Sequence, residues 1–381
     1  MGAATGLLDA FRAGDRFLAT PTRTLLAHGV LAEVPHGPEP LARRVSATLA
    51  DARAARHPAP VVMGAVPFDQ TAPAALVVPE TVRTRPALAS DPLVALPADA
   101  PRSRAWAVRP HPAPDVYAEG VAKAVDRMWQ GEFSKVVLAR TLDITGPDEL
   151  DLPAMLRRLA RRDPHGYTFA LPTHAGRTLL GASPELLVSR HGDRLVSNPL
   201  AGSIPRSDDL AEDVRRAVTL LESAKDLHEH AVVVDAVHQT MAPYCSALDV
   251  PARPSLIRTA TMWHLSTTVT GTLAHPEVSA LEVASSLHPT PAVCGTPTAL
   301  AREVIRETEP FDRGFFTGMV GWGDADGNGE WVVTIRCAEA DSRTLRLYAG
   351  AGVVAASVPA DETAETGAKF RTFLHAVGAD L

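Results

Sequence analysis

Phe133-Ser134-Lys135-Val136-Val137-Leu138-Ala139-Arg140 reads as a strand with one residue out of place. Side chains on a strand alternate with period two, so if Phe133 and Val137 face the core, Lys135 faces it too. Burial penalises an ammonium ion and lowers a lysine's pKa, which is how lysines become bases or nucleophiles. The plainer alternative puts Lys135 at the strand mouth, reaching back to water along its aliphatic stem. Upstream, 116–130 reads as an amphipathic helix, with Asp115 as N-cap, Val121, Val125 and Met128 on one face, and Gly131 as the stop. Downstream, 152–162 reads as another helix, and strands follow at 167–171 and 177–181. The segment 181–190 leads into a turn at His191-Gly192-Asp193 and a strand at 194–197. Helices are expected at 208–221 and 223–241, the second opened by a capping box at Ser223-Ala224-Lys225-Asp226. More follow at 277–287 and up to 308, the latter with Thr296 as N-cap and Pro297 at the first helical position. Residues 322–337 read as strand, turn and strand, 345–348 as a strand, and 361–376 as a closing helix. Strands and helices come in groups rather than in strict alternation, which predicts an α+β fold with largely antiparallel sheets.

The 381 residues allow one large domain or two ordinary ones, and a hydrophobic content of 46% is ample for a core. The stretch containing Pro86, Pro92, Pro97, Pro101, Pro110, Pro112 and Pro114 must be mostly extended or looped. It is an interdomain linker or, the preferred reading, a surface connection within one domain. A net charge of −7 leaves no basic footprint for nucleic acid. Cys245, Cys294 and Cys337 fit neither a disulfide framework nor a zinc cluster and suggest a reducing compartment. Met1-Gly2-Ala3-Ala4-Thr5 does not open a basic-then-apolar leader, and no run approaches a membrane span. Cytoplasm is the expected location.

Three familiar patterns fail on chemistry. Gly350-Ala351-Gly352-Val353-Val354-Ala355 matches a dinucleotide fingerprint in letters, but Pro359 comes too soon for the phosphate-binding helix. Asp324-x-Asp326-x-Asn328-Gly329 begins like a calcium loop whose last ligand would fall on Ile335. His228-Glu229-His230 places residues two apart on a helix, on nearly opposite sides. Four glutamates stand out instead. Glu185 follows Pro184 in an apolar strand. Glu229 shares a helical face with Val232, Val233 and Ala236. Glu362 and Glu365 share a face with Lys369 on the last helix, the ordinary reading of which is an exposed ion-pair face. Arg336 alternates with Val332 and Thr334 on a strand, where a structural salt bridge is the ordinary reading.

At this point the sequence resembles the chorismate-utilising enzymes, and within them the isochorismate synthases of siderophore and menaquinone pathways. The matching stretches run in the family's order: 134–140, 181–187, Pro199-Leu200-Ala201-Gly202-Ser203, 223–230, Met262-Trp263-His264-Leu265, Leu287-His288-Pro289-Thr290-Pro291-Ala292, Arg313-Gly314-Phe315-Phe316-Thr317-Gly318, 331–339, Tyr348-Ala349-Gly350-Ala351-Gly352 and 362–369. They cover about 115–376, the catalytic region; 1–114 matches weakly and is expected to complete the same fold as one compact domain. The resemblance implies an anthranilate synthase component I-like fold, sheets packed together with helices outside. It also implies a monomer that binds neither nucleic acid nor membrane.

The implied reaction adds water at C2 of chorismate and expels the C4 hydroxyl. Lys135 matches the general base and Glu185 the general acid, which requires an uncharged amine and a protonated carboxyl. Glu229 and Glu365 match ligands of Mg²⁺, with Glu362 beside them, a hard-oxygen set that suits this ion. Arg336 matches the grip on the enolpyruvyl carboxylate. Gly350 and Gly352 let backbone amides approach the ring carboxylate, and Lys369 lies near it. His264, Ala201, Gly202, Ser203 and Phe316 match positions that line the pocket. Salicylate synthases, which also eliminate pyruvate, tend to carry threonine at the position of Ala292 and tyrosine at that of Phe316, so these two residues favour the synthase that stops at isochorismate. A family member that binds chorismate without turnover is the competing class.

Overall fold

The computed structural model of the protein describes residues 3–98 and 106–379. Met1, Gly2 and Pro101, which entered the sequence reading, lie outside them. The strand that begins at Lys135 runs to Thr145, and it pairs antiparallel with Thr344–Val354 along its whole length, Lys135 opposite Val354 and Thr145 opposite Thr344. Both faces of this strand are covered, which is why its sequence is a near-continuous apolar run rather than a clean alternation. Val136 and Leu138 pack under the helices Pro114–Trp129 and Thr298–Thr308. Lys135, Val137 and Ala139 point the other way.

Among the described residues the strands form a ten-stranded sheet, a nine-stranded sheet and a small three-stranded one. Every pairing among them is antiparallel. The ten-stranded sheet holds Lys135–Thr145 and Thr344–Val354, and its far side is built by Arg16–Ala19, Arg23–His28 and Thr81–Pro86. The nine-stranded sheet takes in Val61–Val66 and Ala75–Val78. A core containing Leu18, Phe169, Met63, Trp322 and Val332 joins the two sheets. Helices cover their outer faces: Leu152–Arg162 and Pro359–Val377 on the first, Leu41–Ala54, Ala224–Met241 and Ala280–Leu287 on the second. The fold is thus α+β, as expected.

Local details differ from expectation in four places. Asp115 does not cap its helix; Pro114 occupies the first position, and Asp115 lies inside the first turn, where its charge still complements the helix dipole. Thr296 is not an N-cap either. It pairs with Lys135 as an edge strand, and the helix opens one residue after Pro297. Glu185 falls in the break between Thr178–Ser183 and Leu186–His191, and Arg336 in the break between Gly329–Val333 and Cys337–Asp341. Arg336 takes φ of +50°, a left-handed conformation that no period-two strand contains. The rejected fingerprint, Gly350 to Ala355, lies largely within the long strand, with no helix to receive a phosphate.

Candidate active site

One cavity gathers Glu185, Ala201, Gly202, Ser203, Glu229, His264, Ala292, Phe316, Arg336, Gly350, Gly352, Glu362, Glu365 and Lys369. These are all the residues singled out from sequence except Lys135, which sits directly behind Glu229. Lys135 is 3% exposed, and its Nζ donates to Glu229 Oε1 at 2.7 Å. The amine therefore faces the core, but opposite a carboxylate rather than among apolar groups. Gly352 makes this close approach feasible: a Cβ there would stand 2.8 Å from Glu229 Oε1 and 3.4 Å from Lys135 Cε.

Glu185 is 3% exposed, and its backbone carbonyl accepts from Val333 N. Burial pushes its carboxyl up to about 7, against the pull of the Leu200 amide and of Lys135, Arg336 and Lys369. His264 comes from the strand Met262–Ser266; its Nε2 is buried without a partner, and burial, reinforced by Arg336 and Lys369, holds the imidazole well below its usual range. It is a neutral ring with an unused polar atom on the cavity wall. Burial also lowers Arg336, to about 10, with Glu365 and Glu185 pulling it back. One terminal nitrogen of that guanidinium, Nη2, is buried without a partner. Phe316 is stacked on Tyr348, with ring centroids 5.1 Å apart. Ala201, Gly202 and Ser203 lie where strand Leu200–Pro205 slips register, and Gly202 adopts φ of +79°. Such a bulge re-aims the backbone toward the cavity.

The helix-borne wall is acidic and lysine-paired. Lys369 Nζ lies 2.5 Å from Glu365 Oε1 and donates to Gly350 O at 2.8 Å; Lys225 Nζ lies 3.8 Å from Glu362 Oε1. Glu362 is 3% exposed, so the last helix does not carry the solvated ion-pair face that its spacing ordinarily means. Burial raises its carboxyl, and the charge of Glu365 raises it further against a Ser357 hydrogen bond. Asp226 is raised by burial, with Glu229 and Glu365 adding to the effect against its Ser223 hydrogen bond. Burial alone would raise Glu229 as well, but Lys135, Lys369 and Lys225 carry it net below its ordinary range. These acids raise one another through their charges, and Lys135, Lys225 and Lys369 answer them. No group of three or more Asp, Glu, His or Cys among the described residues is drawn close enough to hold an ion by itself.

Lys225, Asp226 and Tyr348 also line the cavity and were not singled out from sequence. Asp226 had a signal: it stands three residues before Glu229, the same spacing as Glu362 and Glu365, so both helices present a pair of acids on one face. Ser223 opens the first of these helices, accepting from Asp226 N. Replacing such a cap by alanine costs about 1 kcal/mol.

The sequence matches the chorismate binding enzyme family over residues 51–378. The chain belongs to this family. Isochorismate synthase DhbC of Bacillus subtilis is 54% identical over 98% of this chain and 96% of its own length. The vibriobactin-specific isochorismate synthase of Vibrio cholerae is 46% identical, over 96% and 92%. A crystal structure from Bacillus anthracis, assigned as a 2,3-dihydroxybenzoate-specific isochorismate synthase, superposes with a TM-score of 0.94 at 50% identity, covering 99% of this chain and all of that one.

Proposed function

We propose that this chorismate binding enzyme is an isochorismate synthase, an isomerase that adds water at C2 of chorismate and releases the C4 hydroxyl as water. The observation that carries the reading is one cavity with a carboxyl raised to about 7, that of Glu185, on its wall and a buried lysine, Lys135, directly behind its Glu229. In its uncharged form, Lys135 Nζ takes the proton from the attacking water. Glu185 gives its proton to the departing C4 oxygen; with a pKa of about 7 roughly half of the molecules carry it at neutral pH. A C2–O bond forms, the C4–O bond breaks, and the ring double bonds shift between them, so no atoms are gained or lost. Arg336 presents a planar fork to the enolpyruvyl carboxylate. Lys369 and the Gly350–Gly352 backbone receive the ring carboxylate.

Magnesium fits the helix-borne wall. Glu229, Glu365 and Glu362 are hard oxygen donors, and the acids repel one another without a cation. The donors do not form a closed cage, which suits an ion that keeps waters and accepts substrate oxygens. When bound, it would neutralise and polarise the ring carboxylate. The strands from the first 111 residues complete both large sheets, which supports reading 1–114 and 115–376 as one domain. No helix among the described residues is long and apolar enough to cross a membrane. A cytoplasmic monomer that feeds catecholate or salicylate siderophore or menaquinone synthesis completes the proposal.

The test is to mix protein, magnesium and chorismate and separate the products. Isochorismate alone is expected, with turnover lost on chelation and restored by added magnesium. Salicylate with pyruvate would make the protein the lyase type, and unchanged chorismate would make it a binder.

A further inference from the structure

Arg313 does not line the cavity, yet it holds three parts of its wall. It is 3% exposed, and all five of its N–H groups are used. Nε donates to Glu309 Oε2 at 2.8 Å and Nη2 to Glu309 Oε1 at 2.6 Å. Nη2 also donates to Val137 O at 2.7 Å, and Nη1 to Val293 O at 2.8 Å and Thr317 Oγ1 at 3.2 Å. Each of these three acceptors belongs to a cavity residue. Val137 is two residues along the strand from Lys135, Val293 follows Ala292, and Thr317 follows Phe316. Glu309 closes the circuit by accepting from Ala139 N at 2.8 Å, on the same strand.

Thr317 needs such support. Its φ is +58°, rare for a β-branched residue, and His288 Nε2 donates to its carbonyl at 2.7 Å. Phe68 and Phe316 lie 4.8 and 5.7 Å from the guanidinium carbon and leave it no slack. A buried ion pair is a poor source of net stability, because desolvation offsets its attraction. A planar guanidinium does supply fixed directions, which an apolar replacement cannot.

We infer that Arg313, oriented by Glu309, is a positioning residue that sets the mutual spacing of the Lys135 strand and the segments bearing Ala292 and Phe316. The kinetic part of this inference rests on the proposed activity; the mechanical part does not.

The experiment compares wild type with Arg313→Lys, which keeps the charge but offers three donors from a single nitrogen and so cannot replace five bonds made from three nitrogens of a planar fork. Hydrogen–deuterium exchange is expected to rise together at 135–139, 292–294 and 316–318, and to stay unchanged in the helix Leu152–Arg162, which packs in a core containing none of these segments. Per folded molecule, kcat is expected to fall about 100-fold, the scale of a misplaced reacting group, while KM for chorismate stays within about threefold. Exchange that does not rise at all three segments, or an unchanged kcat in the folded variant, overturns the inference. If Arg313→Lys does not fold, Thr317→Val removes one of the five hydrogen bonds and spares the ion pair. It is expected to lower kcat about tenfold at constant KM, and an unchanged kcat would overturn the inference. A wild type that makes no isochorismate would remove the proposed function, and the exchange comparison would still decide whether Arg313 couples the three segments.

Discussion

The two walls of the cavity are built differently. The sheet-borne side has Glu185, His264 and Arg336 on the wall and Lys135 behind Glu229, all less than a tenth exposed and placed by strand register or by a break between strands. The helix-borne wall carries Lys225, Glu229, Glu362, Glu365 and Lys369, arranged as carboxylates with lysine partners. Burial is the largest influence on Glu185, His264 and Arg336 of the first wall; on the second it also raises Glu362, but lysine partners carry Glu229 net below its ordinary range. The contrast suits a division of labour: proton transfer needs groups pushed off their ordinary pKa, while holding a dianion and a cation needs charges in reserve.

The strongest way to break this division is Lys135→Ala. It is expected to lower kcat by roughly 10²- to 10⁴-fold, the range of a lost general base, while calorimetry shows chorismate still binding. Wild-type turnover in that variant would remove the sheet-borne base. Glu185→Gln is expected to cost a similar factor and also to change two pH profiles. The acid works protonated, so with a pKa of about 7 the wild-type kcat/KM falls as pH rises through that value, and the limb disappears in the variant.

The same shift sets a stability slope. The folded chain holds a proton that an unfolded glutamate, near its ordinary 4.5, would release, so stability falls as pH rises from 4.5 to about 7. Above that window Glu185→Gln should be more stable than wild type by on the order of 1–3 kcal/mol in urea unfolding, and below pH 4.5 the gain should vanish. Absence of any gain at pH 8 would mean that Glu185 is not the buried acid described.

On the helix-borne wall the expected effects shrink. Lys369→Gln removes charge-assisted bonds to Glu365 and Gly350 and is expected to raise KM for chorismate about 10- to 100-fold, with a smaller change in kcat. A loss confined to kcat would move Lys369 to the other side of the comparison. Lys225 is 47% exposed on its side chain and only loosely paired with Glu362, so Lys225→Gln is expected to change KM by less than about threefold, and less still at high salt.

Part of the site was legible because periodicity says which residues share a side; the rest, His264 and Gly202 among them, was legible only through the family resemblance. Period two placed Lys135 with Val137, and both are buried; Phe133, grouped with them from the alternation, lies before the strand begins and packs with Val136 and Leu138 under the helices instead. Helical spacing placed Glu362, Glu365 and Lys369 on one face. Periodicity is silent about what that face meets, and so the ordinary reading of a solvated ion-pair row failed for Glu362. It also assumes an unbroken element, which is why Glu185 and Arg336 were assigned to strands that in fact end beside them. Caps were misjudged for a related reason: Asp115 and Thr296 are good capping residues, but an adjoining proline and an edge-strand pairing decided those positions.

From its order of residues alone, the chain determined where helices and strands form and which side chains travel together, because those depend on neighbours a few positions away. Only the folded chain decided that Lys135 meets Glu229, 94 positions on, and that Ser203 lies against Glu365, 162 positions on. Contacts between such distant residues follow from how sheets and helices close around a shared core, and local spacing carries no record of that closure.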